Sequence, residues 1–502
     1  MTRFPWSVLV AAVAAAPLAA RAQVAPLPAN QQLHNPDWSL LDPRASADIA
    51  VPPPGTVLPE PTAHAAVSNI IYLNRCTGGC TITKSSPPSS SAVNNQTWII
   101  GDSSTPAGTQ FHISEFAFSQ ATWDELVTCV KQVYAPYNVV ITETDPGNVP
   151  HHMALVAGTA ADYGIPPNQA LGKAELGSSF CEPKDNAISL NIANDHRPGS
   201  GMTLAQNICW TVAQETAHSW GLDHEILCND ALTYDFSSCG QRFFRNKASD
   251  CGEVGISGPR ACVCGGTLQN THAKILAVFG ASTGPQLEPT LRIDQPTAGS
   301  QFPAGNKVFV TASSPRGLTH IELWVNGWKW VDLPATTNST YQITPPAELP
   351  DGVMDLKVRA CDDIEVCAEQ TVTVTRGAPC TTADTCLGGQ SCEGGKCFWP
   401  PPTVELGGAC TIDQECVSLQ CGDVGGGELA CTQDCQGPPN DRCPDGFSCT
   451  AGPGEMGVCA ADAGGGDGGC CSVDGAGRTA VVANLGLGAA VALLVARRRR
   501  RK

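Results

Sequence analysis

The 502-residue sequence predicts a multidomain chain: an α+β domain, an all-β sandwich, a small disulfide-rich module and a C-terminal transmembrane helix. Three observations carry this. Residues 66–284 mix helix-spaced and strand-like apolar segments, whereas residues 289–377 hold only short alternating runs separated by turn residues. The 26 cysteines fall into groups: ten from Cys76 to Cys264, the pair Cys361 and Cys367, twelve from Cys380 to Cys459, and Cys470 with Cys471. Finally, Ala480–Ala496 is an uncharged apolar run at the lower length limit for a membrane span.

At the N-terminus, Arg3, an apolar stretch over Val8–Ala20 and Ala20-Arg21-Ala22 before Gln23 form the pattern of a secretory signal peptide, residues 1–22. Residues 23–65 are rich in Pro and Ala with little periodicity and read as a linker or a propeptide. Export agrees with the cysteine count, which in an oxidising compartment predicts disulfides of open connectivity. Between residues 23 and 480 lie all 47 acidic residues but only 22 of the 30 basic ones. So acidic a surface repels phosphate backbones and excludes nucleic acid as a partner.

Within residues 66–284, Thr122–Tyr137 reads as a helix and Val139–Glu143 as a strand, followed by an apolar run at Met153–Val156. Asn186–Ala193 alternates and reads as a strand. Lys84–Ser91 (KSSPPSSS) reads as a flexible loop and Asn270–Phe279 as a closing helix. The segment Gln214–His224, QETAHSWGLDH, carries the chemistry. Residues four apart share a helix face, so Gln214 and His218 point the same way. Gly221 can adopt positive φ, end the helix and turn the chain, so that His224 returns to the same point. Glu215, beside Gln214, is placed to take a proton from an attacking water.

This segment resembles the zinc-protease pattern H-E-x-x-H-x-x-G-x-x-H of the metzincin metallopeptidases, matching at Glu215, His218, Gly221 and His224 and departing at Gln214. The resemblance implies zinc as cofactor, Gln214, His218 and His224 as metal ligands, and Glu215 and Tyr234 as catalytic residues. In Asp230–Tyr234, Leu232 stands where the family's Met-turn has methionine, and Tyr234 follows two residues later as in the family. Asn186–Ala193 takes the position of the family's edge strand, which binds extended peptide by β-augmentation. No cysteine precedes Cys76, so a cysteine switch is not supported. Glutamine offers zinc only a neutral amide oxygen, a weaker donor than imidazole. The alternative is that Gln214, His218 and His224 are polar remnants of a site that holds no metal. His196, His151 and His152 are further candidate ligands, and Asp223 a candidate to orient a ligand from behind. Cys228 and Cys239 bracket Tyr234, where a bridge would brace the turn.

In residues 289–377, strand-like runs occur at Leu291–Ile293, Lys307–Ala312, His320–Val325, Tyr341–Ile343, Met354–Ala360 and Thr371–Val374, the signature of a β-sandwich. Ile293-Asp294-Gln295-Pro296 and Ile321–Gly327 (IELWVNG) resemble bacterial Ig-like domains, and Cys361 with Cys367 would staple a hairpin. In residues 378–460, cysteines recur with intervals of five, five and four residues from Cys380, restarting at Cys410 with five and four. Such a module needs bridges to hold it. Zinc knuckles are disfavoured, because paired C-x-x-C spacing is missing. Trp399-Pro400-Pro401-Pro402 is a stiff linker within it.

Residues 461–479 are Gly-rich and contain Cys470 and Cys471. They are followed by the transmembrane segment 480–496 and a basic tail, 497–502, expected on the cytoplasmic side. This combination resembles a C-terminal sorting signal of the myxobacterial type. That implies processing and lipid attachment at Cys470 or Cys471 and delivery to the cell surface or outer membrane; a plain single-pass anchor is the alternative. The expected function is a surface-anchored zinc metalloendopeptidase. Its partners would be extracellular protein or peptide substrates, the sorting machinery and the membrane. A catalytically silent surface binding or adhesion protein on the same scaffold is the alternative.

Overall fold

In chain order the N-terminal body contains strands β1 (Ile49–Ala50), β2 (Ile70–Asn74), β3 (Cys80–Lys84), β4 (Ser90–Ser91), β5 (Gln96–Thr97), β6 (Gln110–Ile113), β7 (Val140–Thr142), β8 (His152–Ala157), β9 (Gly172–Glu175) and β10 (Ile188–Ile192). Helix α1 (Gln120–Tyr134) precedes β7, and α2 (Leu204–His218) follows β10. This computed structural model describes residues 49–50 and 67–461, apart from residues 168, 177–180, 200, 236–238, 336–338, 346–348, 350, 425–427, 437–442, 445 and 453–455. The expected signal peptide, Cys470, Cys471, the apolar segment 480–496 and the basic tail lie outside the described residues. Among the described residues no helix is long and apolar enough to cross a membrane.

The main sheet has the order β1-β9-β10-β8-β2-β7. Its strands run parallel except that β9 is antiparallel to β10, with β1 parallel to β9. Parallel strands covered on both faces are buried along their length; every residue of β8 and β10 is buried, the polar His152, Ser189 and Asn191 included. Helices α1 and α2 cover one face, packing Trp123, Leu126, Ile208 and Val212 on Ile71, Ala154 and Val156. A bridge, Cys129–Cys209, ties the two helices together. On the other face Met153, Leu155, Leu190 and Ile192 meet Ile82, Trp98 and Ile113 of the region around a small sheet, order β4-β5-β3-β6.

Three expectations shift. The first helix starts at Gln120 because the Ser119 side chain accepts from the Thr122 amide, and it stops at Tyr134 because Pro136 has no amide to continue the ladder. The strand expected at the sheet edge, β10, is interior, flanked by β8 and β9. Lys84 is no loop residue: it ends β3, buried, with Nζ donating to the carbonyls of Trp98 and Ile100 at 3.1 and 2.6 Å. Ser90 and Ser91 form β4.

Beyond α2, β11 (Ser249–Glu253), β12 (Gly258–Arg260) and β13 (Leu268–Gln269) form a small antiparallel sheet. Helix α3 (Thr271–Phe279) follows, capped by the Asn270 side chain on the Ala273 amide. The ten cysteines of this body pair within it: Cys76–Cys80, Cys129–Cys209, Cys181–Cys264, Cys228–Cys239 and Cys251–Cys262.

The sandwich consists of β14 (Thr290–Gln295), β15 (Val308–Ser313), β16 (Leu318–Val325), β17 (Trp328–Pro334), β18 (Ser339–Ile343), β19 (Gly352–Asp362) and β20 (Cys367–Arg376). Its sheets have the orders β14-β15-β18 and β17-β16-β19-β20. Alternate residues, Val308, Val310 and Ala312 against Ile321, Leu323, Met354, Leu356 and Val358, fill the space between them. Strand β17 was not anticipated, and Cys361–Cys367 staples β19 to β20. In the cysteine-rich module the interleaved pairing repeats three times: Cys380–Cys392 with Cys386–Cys397, Cys410–Cys421 with Cys416–Cys431, and Cys435–Cys449 with Cys443–Cys459.

Candidate metal centre

Helix α2 is phased by a capping box: the Thr203 side chain accepts from the Gln206 amide, and Gln206 Oε1 accepts from the Thr203 amide at 2.9 Å. From that start Gln214 and His218 fall on one face. The chain leaves the helix through Gly221 at φ +81°, where a Cβ would lie 2.4 Å from the Cys181 carbonyl oxygen. This position therefore accepts only glycine. The turn returns His224 to the helix. Its ring stands 4.7 Å from that of His218, nearly perpendicular, and 4.3 Å from that of Tyr234.

His218 Nδ1 is 2.7 Å from the Leu222 carbonyl oxygen, which can only accept, so Nδ1 donates and Nε2 carries the lone pair. His224 Nδ1 is 2.9 Å from Glu253 Oε1. Burial pushes the Glu253 carboxyl up, but hydrogen bonds from His224, Arg260 and Ser257 win and hold it down at about 2. It is therefore an anion that accepts from His224 Nδ1, and the neutral His224 ring then carries its lone pair on Nε2. The Gln214 amide nitrogen lies 3.4 Å from that Nε2. His218, His224 and Glu215 are buried; Gln214 and Tyr234 are 8 % and 7 % exposed, so they form the rim of the cluster.

Glu215 faces the sheet, against Gly172 of β9. The turn beneath is held by Asp230, whose Oδ1 accepts from the Leu232 amide at 2.8 Å and whose Oδ2 accepts from the Arg245 amide at 2.7 Å and Thr271 Oγ1 at 2.6 Å. Leu232 is fully buried in the helix core, and Cys228–Cys239 brackets Tyr234.

The other candidate histidines lie elsewhere. His196 has Nδ1 on the Ile192 carbonyl at 3.0 Å and Nε2 on Thr211 Oγ1 at 2.9 Å. His152 Nε2 meets Ser189 Oγ at 3.1 Å, and His151 Nδ1 meets the Val149 carbonyl at 2.8 Å. Burial, with a smaller push from neighbouring charge, takes His152 down to about 3 and His196 to about 4. Asp223 meets His224 through its backbone: Asp223 Oδ1 accepts from the His224 backbone amide at 2.8 Å. The ring's partner is Glu253, which sequence reasoning missed: it lies on a hairpin 29 residues away.

Two imidazoles, a glutamine amide and a tyrosine bring together nitrogen and oxygen atoms of the kind that can hold a metal ion, Gln214 being the weakest donor. The sulfur clusters of the C-terminal module are already disulfides and offer no thiolate.

No curated protein matches the chain. Among solved structures, the fibronectin(III)-like modules of Clostridium thermocellum CbhA align at 18% identity, covering 18% of this chain and 48% of that one, TM-score 0.16. The chain thus spans about half the length of that relative. CopC from Methylosinus trichosporium OB3b aligns at 15% identity over 17% of this chain and 89% of that one, TM-score 0.14. A Jonesia denitrificans lytic polysaccharide monooxygenase aligns at 14% identity over 24% and 74%, TM-score 0.15. Residues 289–358 match the bacterial Ig domain family, so this β-rich, disulfide-rich chain carries a bacterial Ig-like domain there.

Proposed function

We propose that residues 66–284 form a zinc-dependent endopeptidase of the metzincin type, exported, held at the cell surface, and acting on extracellular proteins or peptides. The observation that supports it most is the meeting of His218 and His224, each with Nδ1 on an acceptor, with Gln214 and Tyr234 beside His224. His218 and His224 would hold the ion through Nε2 and Gln214 through its amide oxygen. Zinc, when bound, supplies Lewis acidity and lowers the pKa of a water to about 7. Glu215 takes the proton of the attacking water and passes it to the leaving amine. The Tyr234 hydroxyl donates to the carbonyl oxygen as charge develops on it. Strand β9, whose Gly172 touches Glu215, would take an extended peptide on the edge that β1 covers, in place of β1.

One observation favours a silent binding protein instead. The Gln214 amide sits on the His224 lone pair that a metal needs. Metal analysis of the full exported chain after zinc equilibration separates the two. The peptidase reading expects close to one zinc per chain, lost in His218→Ala, and cleavage of an unstructured protein that Glu215→Ala abolishes while keeping the metal. A chain that binds no zinc is not this enzyme.

A further inference from the structure

We infer that Glu253 is a positioning residue for His224, and that the hairpin carrying it is an integral part of the metal centre. This rests on the zinc reading. Glu253 is 1 % exposed, and its Oε1 accepts from His224 Nδ1. Arg260, opposite on the hairpin, clamps it. Nη2 donates to Glu253 Oε1 at 2.6 Å, while Nη1 and Nη2 reach the two oxygens of Asp223 at 2.6 and 2.8 Å. One guanidinium thus ties the carboxylate behind the His224 ring to the carboxylate that holds the His224 backbone. Such a planar fork fixes two carboxylates more firmly than a point charge would. Ser257 Oγ adds a hydrogen bond to Glu253 Oε2 at 2.5 Å.

The hairpin itself is rigid and stitched to the ligand segment. Cys251–Cys262 closes it. The Gly252 amide donates to the His224 carbonyl at 3.1 Å, and the Ile226 amide to that of Asp250 at 3.1 Å. Gly252 has φ +141°, and a Cβ there would lie 2.0 Å from the Gly258 carbonyl oxygen, so only glycine lets the two strands approach this closely.

A carboxylate on the far nitrogen of a metal-ligating imidazole fixes the tautomer and ring direction and makes the ligand more basic. Here that push has an added use. Gln214 brings a neutral oxygen where an imidazole would bind better, and the negative charge of Glu253, delivered through His224, offsets part of that deficit.

Two measurements test it on the full chain. Zinc affinity, by competition with a chromophoric chelator, should fall about 10- to 100-fold in Glu253→Gln, while metal-free thermal unfolding shows the variant folded. Nitrogen-15 spectra of the wild-type imidazoles should show His224 protonated on Nδ1, a readout that survives even if the variant fails to fold. Unchanged affinity in a folded Glu253→Gln, or the opposite His224 tautomer, overturns this inference alone. A wild type without zinc affinity overturns the peptidase reading and this one with it.

Discussion

Gly172 and Glu215 touch across the sheet–helix interface: a Cβ built on Gly172 would lie 2.5 Å from Glu215 Oε1 and 2.6 Å from its Cδ. The strand thus has no side chain at the point where the helix presents its carboxylate. Gly172→Ala would push that carboxylate aside while leaving His218 and His224 in place. On the peptidase reading, zinc content stays at wild-type level and cleavage falls on the order of 10²-fold, the cost of misplacing a reacting group by about 1 Å. Full activity in Gly172→Ala would remove Glu215 from the chemistry.

The Ig-like domain is expected to be more than a spacer. Arg316 Nη2 donates to the Phe244 carbonyl at 2.9 Å and, with Nε, grips Asp363 at 2.9 and 2.8 Å; the Asn246 amide reaches Asp363 at 3.1 Å. Arg245 and Arg316 both lie over the Phe243 ring. Phe243 and Arg245 are the residues whose backbones hold the turn at Asn229–Ala231. Arg316→Ala leaves Asp363 buried without its fork, a loss on the order of 3–5 kcal/mol. Urea unfolding of the full chain should show a lower midpoint and a separated transition for the N-terminal body. An unchanged curve would mean that the two bodies are held by other contacts.

What the sequence disclosed follows from the range of the forces involved. The helix with Gln214 and His218, the turn at Gly221 and helix α3 depend on local spacing and caps, and all could be read. Strand β9 could not, because Gly-Lys-Ala-Glu lacks β-branched residues and is a strand only through its pairing with β10. Missing it also misplaced β10 at the sheet edge. Strand β17 was overlooked although Asn326-Gly327, both at positive φ, is a hairpin signal. Glu253 was beyond reach. It meets His224 only because Cys251–Cys262 and Arg260 fold the hairpin back, and no periodicity encodes that.

Ile49 and Ala50 pair with Ala174 and Glu175 on the outer side of β9. One backbone edge serves one strand at a time, so an extended peptide docking along β9 must displace β1. Deleting residues 23–64 should therefore lower the KM for peptide substrates, or the Kd for a non-cleaved peptide, by several-fold, with kcat little changed. Equal affinity in the truncated and full chains would show that peptide does not use this edge.

His196 is fully buried, and burial holds its imidazole down at about 4, against 6.5 for the free side chain. It is neutral in the fold at every pH above that value. Between pH 6.5 and 4 the unfolded chain takes up a proton on His196 that the folded chain refuses. Stability contributed by this site is therefore complete above pH 6.5 and is lost as pH falls toward 4, by at most about 3 kcal/mol. Asp362, raised to about 6 by burial, acts in the opposite sense within the same window, so the total pH dependence does not isolate His196. The comparison that does is wild type against His196→Asn, unfolded by urea at pH 7 and pH 4.5. The variant is less stable at pH 7, because the contacts to Ile192 and Thr211 are altered, and the gap should narrow at pH 4.5 as the wild type alone pays for protonation. A gap that stays constant would mean that the folded protein accepts the proton as readily as the unfolded chain.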